Sequence, residues 1–198
     1  MKQYKTTTNY TSAAASLMVV INHFNESFEL SQENEFKIWL SSVNLPTRAS
    51  SIYGLANFAK EQGLNPSIIL KNKDYEYPDY RFKGYKKIEI EQAEFSNNLH
   101  KLKSKQLKIK KNKCKITADL IEQLVLENKT LLVRLNAGVF RETASISNYV
   151  IVKRKNGDYF EVVDSQVGLI KVSKDQIQEA LDTLSSKKKR SSKILVFE

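Results

Sequence analysis

The side chains that could do chemistry in this chain are few. Ser12 stands where a polar run, Lys5 to Thr11, gives way to Ala13-Ala14-Ala15-Ser16-Leu17. Leu17, Val20, Ile21 and Phe24 follow at i, i+3, i+4 and i+7, so a helix from Ser12 to about Asn25 is predicted, apolar nearly all round and therefore buried. A residue at its first turn meets about half a positive charge from the helix dipole, a setting that suits a nucleophile. Serine is also a favoured N-cap, and a second reading has Ser12 or Thr11 doing nothing more than capping. Asn148 and Asp164 lie sixteen positions apart across a predicted hairpin, where Asn148 could simply open a strand and Asp164 serve as a turn acid. The two histidines, His23 and His100, fall on separate helices, and the single cysteine, Cys114, reads as a surface thiol between Lys113 and Lys115. No histidine, cysteine or acid stands in a ligand spacing, so neither a metal nor another cofactor is expected.

The elements that must position these groups alternate. Ser31 caps a second helix carrying Phe36, Trp39, Leu40 and Val43, with Trp39 expected in the core. A third helix carries Ile52, Leu55, Ala56 and Ala59 and ends at Gly63; a strand covers Pro66 to Leu70. Between Asp74 and Lys87 aromatics alternate with charges, and Tyr75, Tyr77 and Tyr80 are candidates for gripping an extended peptide or stacking bases. A helix over Glu89 to Lys105 is expected to turn Phe95, Leu99 and Leu102 inward. The rest reads as a helix capped by Thr117, a strand Thr130 to Asn136, a loop Ala137 to Ser147, and a hairpin turning at Asn156-Gly157. A strand Leu169 to Val172, a helix opened by the capping box Ser173 to Gln176, and a strand Ile194 to Phe197 complete the chain. Helices first and antiparallel strands last make an α+β fold.

The chain has 198 residues, 41% of them hydrophobic, enough for one domain over 1–198 with a substantial core. Its net charge of +10 admits nucleic acid, anionic membrane or acidic protein as partners without choosing among them. Eight lysines and no acid occupy Lys101 to Lys115. The segments 101–115 and 185–193 read as basic loops, the first able to form a short amphipathic strand, and Lys108, Lys110 and Lys111 are its candidate contacts for an acidic partner or RNA. No apolar run could span a membrane and no signal peptide opens the chain, which gives a cytoplasmic expectation.

Tyr10-Thr11-Ser12-Ala13-Ala14-Ala15-Ser16-Leu17 resembles the opening Gln-x-Thr-x-Tyr-Thr-Cys-Gly-Pro-Ala-Ser-Leu of the papain-like cysteine peptidases of family 39, the bacteriocin-leader-processing group and its stand-alone relatives. The resemblance implies a papain-like fold, its helical N-terminal half packed on a C-terminal antiparallel sheet. It puts Ser12 at the nucleophile, Thr6 at the oxyanion glutamine, Asn148 at the histidine and Asp164 at the orienting acid. Gln3 is three residues out of register. Only Asp164 keeps the family's residue type, and an amide cannot take a proton from a hydroxyl and return it to a leaving amine. The implied function is an inactive peptidase-like domain holding an extended peptide or protein in the former substrate cleft. Two alternatives stay open: a peptidase or amidase using Ser12 with another base, such as His23, and a basic nucleic-acid-binding protein.

Overall fold

A computed structural model describes residues 1–71 and 85–198. Its order is α1 (Ser12–Phe24), α2 (Gln32–Ser42), α3 (Ile52–Glu61), β1 (Ser67–Leu70), α4 (Lys87–Gln106), β2 (Lys110–Lys113), α5 (Ala118–Leu126), β3 (Thr130–Asn136), α6 (Gly138–Arg141), β4 (Ser147–Asn156), β5 (Tyr159–Asp164), β6 (Gly168–Ser173), α7 (Lys174–Lys188) and β7 (Lys193–Phe197). The α+β class is as expected, and the helix bearing Ser12 precedes the strands bearing Asn148 and Asp164, as in a papain-like chain. Tyr75, Tyr77 and Tyr80 lie outside the described residues.

The strands form one sheet in the order β2-β1-β7-β3-β4-β5-β6. All neighbours are antiparallel except β1 and β2, so the sheet is mixed and draws two strands from the first 113 residues. The period of two along β3 sends Leu132 to one face and Leu131, Val133 and Leu135 to the other. The first face packs on α1 and α3, with Leu17, Met18, Val20 and Ile21 fully buried, each worth about 1.5–3 kcal/mol. The second packs on α5 and α7 through Ile121, Val125, Ile177 and Leu181. Helices therefore cover both faces.

Several details depart from expectation. The segments 101–115 and 185–193 are loops only in part: α4 runs to Gln106 and β2, the short strand allowed for the first segment, covers Lys110–Lys113, while α7 runs to Lys188 and residues 189–192 connect it to β7. Phe95, Leu99 and Leu102 do not point inward; each is at least half exposed. The buried side of α4 carries Ile90, Ala93 and Ser104, with Asn97 and His100 on the same stripe, and its contact with α3 is largely polar. Ser51 bonds Asn97, Asn57 bonds the His100 carbonyl, and Ser104 bonds Asn57, so hydrogen bonds rather than leucines choose the inward face. Cys114 is half-buried against the second core rather than a surface thiol. The hairpin loop is Gly157-Asp158, since Asn156 pairs with Tyr159, and Gly157 takes the positive φ of 60° that the turn requires.

Candidate functional site

α1 carries Ser12 to β4. Ser12 Oγ lies 2.5 Å from Asn148 Oδ1, and both residues are buried. One turn on, Ser16 donates to the Tyr149 carbonyl at 3.1 Å, so two serines on one helix face fasten α1 to the sheet. The Tyr149 backbone N–H, which can only donate, reaches the same Asn148 Oδ1 at 2.9 Å. That contact fixes the amide's orientation and makes Ser12 the donor. Its hydroxyl proton is committed to an oxygen too weakly basic to accept it. The other end of the amide, Nδ2, is buried and has no hydrogen-bond partner, an omission that costs free energy in any folded protein.

Neither Ser12 nor Thr11 caps the helix. Thr11 is at the N-cap position, but its hydroxyl makes no capping bond. It turns instead to Glu35 and to Thr8. Glu35 is the feature that sequence reading missed. It is fully buried on the inner face of α2 beside Ile38 and Ser42. Its carboxylate accepts from Tyr4 Oη (2.9 Å), Thr6 Oγ1 (2.9 Å), Thr7 N (3.1 Å), Thr7 Oγ1 (2.9 Å) and Thr11 Oγ1. Five donors from one short segment meet one acid. Burial, followed by the bond to Glu35, pushes the Tyr4 phenol up to about 12. The signal in the sequence was the hydroxyl run Thr6-Thr7-Thr8, which needs an acceptor if it is to be buried.

Thr6, at the expected oxyanion position, has its side chain in this cluster, and its N–H donates to the Ser165 carbonyl at 2.8 Å. Gln3 is placed elsewhere, its Oε1 accepting from Leu169 N at the start of β6.

Asp164 is buried at the end of β5, but it does not back Asn148. Arg141 takes its carboxylate with Nε at 3.0 Å and Nη2 at 2.7 Å to each oxygen, and the Gln166 N–H adds a bond at 2.8 Å. Arg141 Nη1 also reaches Gln166 Oε1 at 2.6 Å. The guanidinium comes from α6, a short helix inside the segment expected to be a loop. No spacing in the sequence announces the pair.

The two histidines stand apart. His23 is eleven residues along α1 from Ser12, about 16 Å at 1.5 Å per residue, and so cannot serve as its base. Burial and then Lys153 hold its pKa below the ordinary value. His100 has its ring nitrogen 3.2 Å from the Val43 carbonyl, and burial lowers its pKa too. Among the described residues no group of three or more His, Cys, Asp and Glu could hold a metal ion, and no helix is long and apolar enough to cross a membrane. Two residues before Ser12, the Tyr10 ring packs on Trp39 at 5.1 Å with the Arg48 guanidinium over it at 5.1 Å. Trp39, expected in the core, packs against the edge of the first core while half-buried, its indole donating to the Arg48 carbonyl at 3.2 Å. Lys108 closes α4 with φ of 54°, and Lys110 and Lys111 are exposed on β2.

A family model described as Peptidase_C39 like family matches residues 1–191. Among solved structures, the crystal structure of the Pseudomonas avirulence protein AvrPphB is similar at 10% identity and a TM-score of 0.43, covering 96% of this chain and 92% of that one. No curated protein sequence matches the chain.

Proposed function

The chain belongs to the Peptidase_C39 like family, and from that premise we propose that it is an inactive member which binds an extended peptide or protein partner beside Ser12. The observation that carries the inactivity is the Ser12–Asn148 hydrogen bond. Acyl transfer needs a group that takes the nucleophile's proton and returns it to the leaving amine, and an amide does neither. Losing such a group typically costs on the order of 10³-fold or more in turnover. Asp164 cannot compensate, because Arg141 and Gln166 fill its oxygens. Recognition beside Ser12 is supported by Tyr10, two residues before it, whose half-buried ring packs on the half-buried Trp39 and carries the exposed Arg48 guanidinium over it, two aromatic faces and a cation gathered from distant parts of the chain.

Two measurements test the two halves. Fluorescein-labelled casein and a fluorophosphonate probe are offered to the protein and to Ser12→Ala; equal, background signals are expected. Turnover or labelling that Ser12→Ala abolishes overturns inactivity. Trp39, the only tryptophan in the chain, reports binding: its emission is expected to shift when reduced, carboxymethylated α-lactalbumin is added. Emission unchanged to saturating concentrations overturns peptide recognition at this face.

A further inference from the structure

We propose that the outer edge of β2 is a docking strip for an acidic polypeptide segment in extended conformation. β2 ends the sheet order, with β1 as its neighbour among the described residues. An edge strand turns the N–H and C=O groups of alternate residues outward, unpaired. All four residues of β2, Lys110, Lys111, Asn112 and Lys113, are exposed. Lys108 and Lys115 flank it, also exposed. Among the described residues none of these five lysines makes an ion pair; in the same basic run Lys103 is matched, to Glu61. Glu198 feels Lys110, but its carboxylate is bonded to Lys129.

The placement of the charges selects the occupant. Side chains alternate along a strand, so Lys110 lies on one face of the sheet and Lys111 and Lys113 on the other. A nucleic-acid backbone lying on the protein would meet one face and leave the other charge unused. A peptide added in the plane of the sheet sends its own side chains to both faces, so carboxylates along it meet lysines on each. A lysine edge also repels other basic edges, and a second copy paired through β2 would set lysine against lysine. The same charge that blocks self-association attracts an acidic strand.

This strip is separate from the Ser12 face. Four strand steps divide β2 from β4, which bears Asn148, or about 19 Å at roughly 4.8 Å per step. Binding at one can therefore be lost without the other.

The test uses the full chain and a fluorescein-labelled octapeptide of alternating Glu and Thr, titrated by anisotropy at low salt. Companion probes are alternating Lys and Thr, alternating Glu and Pro, and an oligothymidylate of similar length. The Glu-Thr peptide is expected to bind, with affinity falling as salt is added and falling about tenfold or more in Lys110→Glu/Lys113→Glu. The Glu-Pro peptide, which keeps the charge but loses half its N–H donors, is expected to bind markedly more weakly. Backbone amide resonances of Lys110–Lys113 should shift on binding, and the Trp39 response to unfolded α-lactalbumin should survive the double variant. Absence of Glu-Thr binding, equal binding of the Glu-Pro peptide, or tighter binding of the oligothymidylate through the same lysines overturns the proposal.

Discussion

Arg141→Met is the substitution that most directly tests whether Asp164 has left the chemistry. The Asp164 side chain is fully buried and that of Arg141 is 6% exposed, with guanidinium contacts at 2.7–3.0 Å. Removing the guanidinium leaves a carboxylate whose remaining described partner is the Gln166 N–H. An uncompensated buried charge of this kind costs about 3–5 kcal/mol. For a chain of 198 residues, where each kcal/mol moves the melting point by about 2–4 °C, the fall is about 6–20 °C. The assay is urea denaturation followed by circular dichroism on the wild type, Arg141→Met, Asp164→Leu and the double variant. Two apolar side chains can pack where two charges stood, so the double variant should recover most of the loss, to within about 1–2 kcal/mol of wild type. If Arg141→Met alone costs less than about 1 kcal/mol, the value of an exposed pair, the reasoning fails. Asp164 would then be solvated and free to act as the orienting acid of the site.

Glu35→Ala removes the shared acceptor of five donors, of which Thr6 Oγ1 keeps the Thr8 carbonyl and the exposed Thr7 can turn to water, and should cost about 3–5 kcal/mol while raising hydrogen exchange through residues 4–11 more than elsewhere, read by mass spectrometry. Ser12→Cys/Asn148→His in a Cys114→Ser background should react with iodoacetamide faster than Ser12→Cys alone at neutral pH, because an imidazole can now take the thiol proton; casein turnover should nonetheless stay low while Arg141 holds Asp164 and Thr6 replaces an oxyanion donor. Glu122 is drawn down to about 2 by hydrogen bonds from Lys155 (2.6 Å) and then Lys174 (2.5 Å). Its folded pKa lies below the unfolded value of 4.5, so its contribution to stability is full above that pH and is lost as pH falls toward 2. The urea midpoints of wild type and Glu122→Gln should accordingly differ near pH 6 and converge as the solution approaches pH 2.

The elements that carry regular apolar periods were legible. Leu17, Val20 and Ile21 announced a buried α1, and Ser173 with Gln176 announced the start of α7 through a capping box that the structure contains. What was not legible depends on pairs that no local pattern links. β7 enters the sheet between β1 and β3, an order fixed by long-range pairing rather than by the residues of β7 itself. The inward face of α4 was misread because Phe95, Leu99 and Leu102 have the helical period of a core stripe, yet Asn97, His100 and Ser104 on another stripe find partners on α3 and the Val43 carbonyl. At the site, Ser12 and Asn148 meet although each has an ordinary local explanation, one as a cap and the other as a strand opening. Glu35 and Arg141, which decide what Thr6 and Asp164 can do, lie 29 and 23 positions from them and share no motif with them.

The two buried acids give the altered site a physical logic. A hydrolytic site keeps polar groups whose lone pairs or protons are free to move when substrate arrives, and that freedom costs stability. Here the groups that would supply it are consumed internally. The Ser12 proton goes to Asn148, Asp164 to Arg141, and Thr6 and Thr11 to Glu35. These same bonds join parts of the chain distant in sequence: α1 to β4, α6 to β5, and the N-terminal segment to α2. The Thr6 N–H to Ser165 carbonyl bond adds the N-terminal segment to the end of β5. Each of these saturated groups strengthens the junction between helices, sheet and N-terminal segment. Asn148 Nδ2 is left over as a buried donor, as is the hydroxyl of Ser165 next to Asp164. The bonds that close Ser12 and Ser16 onto β4 thus serve as a joint between helix and sheet.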